Sequence, residues 1–166
     1  MILGMSLQTF TVLHVIISLI AIVAGVVVLI DMLGSKRREG WTGLFLLMTI
    51  LTSVTGFMFP ISGFTPALGV GVISLLVLLI ALVALYGKHL NGSWRWIYVA
   101  AALTALWFNV FVLIAQAFMK VPLLHPLAPN GNEPPFLIVQ TVALVIFVVL
   151  GLIAAFKFRP GPAMPV

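Results

Sequence analysis

Five apolar runs constrain this chain more than any other feature, covering about 9–33, 41–59, 66–87, 94–119 and 135–158. Each holds ~19 residues or more, and about 20 residues at 1.5 Å rise cross a 30 Å hydrocarbon core. Backbone groups in lipid must be satisfied within the segment, which leaves helices or a closed barrel. Barrel strands alternate polar and apolar side chains, and these runs do not. The expected fold is therefore all-α: an integral membrane bundle of five transmembrane helices. It forms one domain over 1–159, followed by a flexible tail over 160–166.

Composition agrees. The chain is 63% hydrophobic and only 7% charged, against about 25% charged in soluble domains. Too little charge is present to cover a water-facing surface. The net charge of +5 is no nucleic-acid signal, because the cations sit between the apolar runs, where they set topology. There is no cysteine, which excludes disulfides, iron–sulfur clusters, thiolate metal sites and a cysteine nucleophile.

The cations predict orientation. Lys36, Arg37 and Arg38 follow the first run, Lys88 and Arg95 flank the third loop, and Lys157 and Arg159 end the fifth run. Of the eight Lys and Arg, only Lys120 falls on the other side. The positive-inside rule then places the N-terminus outside and the C-terminus inside. The first run reads as a span and not as a cleavable signal, since no cation precedes it and no small-residue cleavage site follows it. Trp41, Tyr86, Trp94, Trp96 and Tyr98 fall at the inner interface, as an aromatic belt. The setting expected is a bacterial inner (cytoplasmic) membrane, with membrane lipids as neighbours.

Small and hydroxylated residues mark the packing faces. His14, Ser18, Ala21 and Gly25 form one stripe; Thr49, Thr52 and Gly56, with Ser53 and Thr55 beside them, form a second. Ala67, Gly71, Ser74 and Ala81 form a third, and Ala102, Ala105, Asn109 and Gln116 a fourth. Such residues let helices approach closely and hydrogen-bond across.

The larger polar groups gather in the predicted outer half: His14, Thr52, Asn109, Gln116 and Gln140, with Lys120, His125 and Glu133 at its mouth. Polar groups in lipid cost roughly one to several kcal/mol unless paired. Two arrangements fit this clustering. One is a network in which Asn109, Gln116 and Gln140 satisfy each other. The other is a pocket for a lipophilic ligand, a quinone or a lipid, between the first, fourth and fifth helices. His14, Asn109, Gln116, Gln140 and Thr52 would then bind the head group, while Lys120, His125 and Glu133 guard the entrance. His14 and His125 are also the one pair available to a haem b or a metal, with no ligand spacing to support it. Asp31, near Lys36 and Arg37, reads as a local ion pair.

The loop 121–135 carries Pro122, Pro126, Pro129, Pro134 and Pro135 together with Leu123, Leu124 and Leu127. It is expected to pack over the outer end as a lid, met by Phe64-Thr65-Pro66, or to dock onto a partner protein. No phosphate loop, nucleophile elbow or paired-carboxylate arrangement is present. The function expected is ligand binding without catalysis. The alternatives are a redox subunit carrying haem b or reacting with quinone, and an assembly subunit of a larger complex.

Overall fold

A computed structural model describes residues 2–60, 63 and 65–161. Among them the chain is helical, without a β-strand, and five helices are long and apolar enough to cross a membrane. These are α1 Leu7–Leu33, α2 Glu39–Phe57, α3 Pro66–Leu82, α4 Trp94–Lys120 and α5 Pro134–Lys157.

The helix ends follow from local chemistry. Ser6 accepts a hydrogen bond from the Thr9 N–H at 3.1 Å, so α1 begins two residues before its expected start. An N-cap oxygen of this kind satisfies one of the otherwise orphaned first-turn donors. Thr65 caps α3 in the same way, with Pro66 in the first turn, where its missing N–H costs nothing. Glu39 extends α2 backwards, its carboxylate sitting favourably at the positive end of the helix dipole.

One departure from the expected spans is internal. The third run does not stay α-helical to Gly87, because Val83–Gly87 is a π-helical turn. The Lys88 N–H reaches back five residues to Val83 O at 2.8 Å, and the Leu90 N–H reaches Ala84 O at 3.0 Å. The widened turn keeps Ala84 and Leu85 buried and leaves Tyr86 exposed.

Short loops join α1 to α2, the lid loop joins α4 to α5, and α4 sits centrally, against α1, α3 and α5. The main core lies in the half of the bundle nearer the α1–α2 and α3–α4 loops, where seven of the eight Lys and Arg also lie; this is the basic end. There Ala24, Val28, Phe45, Leu78, Ala102 and Leu106 interlock. A smaller cluster of Phe118, Ala128 and Phe136 closes the opposite, lid end, with the two phenyl rings edge-to-face at 5.6 Å. α5 is the most loosely held helix, burying only Phe136, Gln140 and Ala154. Phe147, Leu150 and Ala155 are half-buried against the core, and most of its other apolar side chains, like those on the outer faces of α1 and α3, are exposed, as in a helix facing lipid. The predicted interior stripes are buried or half-buried except for Ala67, which is exposed.

Three expectations change. Asp31 is paired with Arg38, not with Lys36 or Arg37. The Arg38 guanidinium donates to both carboxylate oxygens at 2.8–3.1 Å, because Gly34 and Ser35 turn the chain so that the third cation folds back over α1. Tyr98 does not join the aromatic belt; at 1% exposure it lies in the core. Among the described residues the proline-rich lid packs on α4 and α5, not across the whole outer end. Leu124 and Ala128 pack there, while Leu123 is 83% exposed. The expected contribution of Phe64, and the part of the tail over 162–166, fall outside the described residues.

Candidate functional site

The polar side chains of the lid half are drawn into separate contacts instead of one network. His14 on α1 lies against α2, its Nδ1 2.7 Å from Thr55 Oγ1 and its ring edge-to-face with Phe59. The Thr55 hydroxyl has one proton and lies 2.6 Å from Leu51 O, to which it donates. Its oxygen therefore accepts from His14 Nδ1–H, and in the neutral ring the lone pair stands on Nε2. A hydrogen bond that fixes the tautomer and orientation in this way is also how proteins prepare a ligating or proton-accepting imidazole.

Asn109 on α4 donates to Thr49 Oγ1 on α2 at 3.2 Å, with both residues buried. This is a helix–helix contact in the middle of the bundle. Thr52, half-buried one turn further along α2, donates to Met48 O of its own helix at 2.8 Å.

Gln140 on α5 reaches across to α4 and donates to Phe111 O at 3.0 Å. Its Oε1 is buried without a partner, and so is Oε1 of Gln116 on α4. A third orphan is a donor, the indole Nε1–H of Trp107. The Trp107 ring packs on Phe111 at 5.7 Å between centroids, so Trp107 and Gln140 adjoin the same residue. Two acceptors thus stand unpaired in the lid half of α4 and α5, and one donor at the midpoint of α4. A buried polar group left without a partner costs about 1–3 kcal/mol. No family model, curated protein or solved structure matches the chain.

Trp107 was the group missed in the sequence. Its signal was an indole N–H in mid-run, away from both ends, where tryptophan normally sits.

The three residues expected at the entrance separate. Lys120, one turn beyond Gln116, is exposed. His125 is exposed in the loop. Glu133 closes the loop on itself. Its carboxylate accepts from Asn130 N–H at 3.0 Å, from Asn130 Nδ2 at 2.8 Å and from Asn132 N–H at 3.1 Å. Desolvation pushes its pKa up, but these donors outweigh it and hold the carboxyl below its ordinary value. Among the described residues no group of three or more His, Asp or Glu gathers as a metal site.

Two cavities open at the basic end. One, of about 510 Å³, is lined by residues that include Arg37, His89, Arg95 and Arg159. The other, of about 180 Å³, lies beside it between Glu39, Thr42 and Tyr86. Neither includes a residue of the lid-half group.

Proposed function

We propose that the protein is a non-catalytic multi-pass protein of a bacterial inner membrane, with its N-terminus outside and its C-terminus inside. It holds a lipophilic molecule with a polar head, a quinone or a lipid, where α1, α4 and α5 meet at the lid end. The observation that carries this reading is the set of orphaned atoms on Gln116, Gln140 and Trp107. A hydroxyl-bearing head group donates to the two amide oxygens, and a carbonyl-bearing one accepts from the indole. A quinol–quinone couple offers both. Apolar walls with a few polar groups are the usual form of a site for such a molecule, and Gln116 and Gln140 in the lid half are the groups that would meet its head.

The test is the lipid and quinone content of protein extracted in a membrane-retaining polymer, measured by mass spectrometry. Gln116→Leu and Gln140→Leu are expected to lower retention of one co-purifying species at least tenfold, while Val12→Thr, on the exposed face of α1, leaves it unchanged. Equal content in all well-folded variants overturns the reading.

A second reading, a redox subunit with haem b or reactive quinone, draws support from the His14 Nε2 lone pair. The reduced-minus-oxidised absorbance spectrum of the same material tests it: haem bands lost in His14→Ala establish the haem form, a near-ultraviolet change without them identifies a redox-active quinone, and a flat spectrum removes both. The third reading, assembly through loop 121–135, rests on the exposure of Leu123 and predicts a stoichiometric partner lost in Leu123→Asp.

A further inference from the structure

The basic end brings together three guanidinium groups from three distant parts of the chain. Arg37 comes from the α1–α2 loop, Arg95 from the first turn of α4 and Arg159 from beyond α5, and all three line the 510 Å³ cavity with His89 and Asn91. An arginine stays protonated in any protein, so three on one cavity repel one another until an anion joins them. Little anion is supplied from within. The chain has three Asp and Glu in total. Asp31 is occupied by Arg38, and Glu133 is at the other end of the bundle. Glu39 alone remains, 3.2 Å from Arg37 with its side chain 60% exposed. Arg95 and Arg159 have no ion-pair partner among the described residues, and Arg37 Nε–H is buried with no acceptor.

The cavity is held in shape by contacts that leave these charges in place. Arg95 is fixed from two sides, donating to Phe158 O and lying 5.2 Å from the Trp96 ring. The Arg159 N–H donates to Ser35 Oγ at 2.9 Å, which ties the end of α5 to the α1–α2 loop. On the remaining wall His89 and Leu90 both have positive φ, 49° and 58°, just beyond Lys88, which caps the π-helical turn. Consecutive left-handed residues with a Cβ are disfavoured, and such backbone is retained where the surroundings demand it, commonly at ligand sites. The N-terminus of α4 also opens here, adding the positive end of a 27-residue helix.

We propose that this cavity binds a phosphoryl anion, carried either by an anionic phospholipid head group or by a soluble organic phosphate. Guanidinium forks match phosphate oxygens two at a time, and basic pockets between helices on the cytoplasmic side are suited to phospholipid head groups. The volume lies in the range of about 300–1,000 Å³ that encloses an organic molecule. This site is separate from the lid-end site and does not depend on it.

The experiment is thermal unfolding of the full chain in neutral detergent, followed by tryptophan fluorescence at constant ionic strength. The probes are dihexanoyl phosphatidylglycerol, dihexanoyl phosphatidylcholine and glycerol 3-phosphate. The expected result is a saturable rise of the midpoint with phosphatidylglycerol and none with phosphatidylcholine. A matching rise with glycerol 3-phosphate identifies a soluble phosphate as sufficient; a rise with phosphatidylglycerol alone identifies the lipid. Arg159→Gln and Arg37→Gln are expected to weaken the apparent affinity at least tenfold. Lys157→Gln, which removes the same charge at the same end but outside the cavity, is expected to leave it within twofold. No shift with any phosphate, or equal weakening in Lys157→Gln and Arg159→Gln, overturns the proposal.

Discussion

At the scale of single residues, Glu133 is the side chain whose role changes most between sequence and structure. Read as a gatekeeper, it is instead the acceptor that closes the 130–133 turn. Its pKa in the folded protein lies below the unfolded value, so the ionised group contributes order to the loop at neutral pH. That contribution is lost as the pH falls through the ordinary carboxylate range to the folded pKa. The Asn130 amide proton is expected to show a hydrogen-bonded chemical shift at pH 7 and to lose it only below the ordinary carboxylate range. Glu133→Gln is expected to show no such step, and identical titration curves for the two proteins would sink the assignment. The same scale shows what periodicity leaves unread. The stripe through Asn109 and Gln116 was legible, but its partners were not. Spacing fixes which face of α4 a residue occupies, whereas Asn109 meeting Thr49, or Gln140 meeting Phe111 O, depends on how each helix is rotated and shifted against the next. The exchange of Lys36 for Arg38 beside Asp31 has the same origin, since the loop's left-handed turn at Ser35 decides which cation folds back.

At the scale of elements, the spans were legible to within about two residues. Hydrophobic length, the N-caps at Ser6 and Thr65, and Pro134 in the first turn of α5 act locally. The π-helical turn was not, because nothing in Val83–Gly87 differs in type from the α-helix before it. Close packing between α1 and its neighbours is set at Gly25. A Cβ there would stand 2.5 Å from Leu106 Cδ1 and 2.9 Å from the Phe45 ring, both of them buried. Lipid tails are as apolar as the helix faces, so such contact, and not escape from water, holds helices together. Gly25→Leu is expected to destabilise the bundle by about 1–3 kcal/mol through overpacking. Gly43→Ala, where a Cβ meets nothing within 4 Å, is expected to be neutral or stabilising, because alanine is the better helix former. Denaturation in mixed micelles checks both, and equal midpoints for the two variants would show that Gly25 is not a point of close approach.

At the scale of the whole molecule, the charge asymmetry is the organising property. The cation-rich end gathers the α1–α2 and α3–α4 loops with the end of α5, and the lid end carries Lys120 and Glu133. With the basic end in the cytoplasm, a membrane-impermeant maleimide added to intact spheroplasts is expected to label Asn132→Cys. Ser93→Cys is expected to react only after permeabilisation. The cysteine-free background makes each label unambiguous, and the reverse pattern would invert the bundle.

The helices also differ in length. α1 and α4 have 27 residues each and α2 has 19, so the former measure about 40 Å and the latter about 28 Å at 1.5 Å rise. A hydrocarbon core of about 30 Å matches α2 standing nearly upright, whereas the long pair must lean or project into the head groups. Thickening the bilayer therefore straightens α1 and α4 while stretching lipid down to α2, and thinning it tilts them further. Side-chain hydrogen bonds join the long helices to α2 at His14 with Thr55 and at Asn109 with Thr49. Membrane thickness is thus mechanically linked to the set of the His14 imidazole.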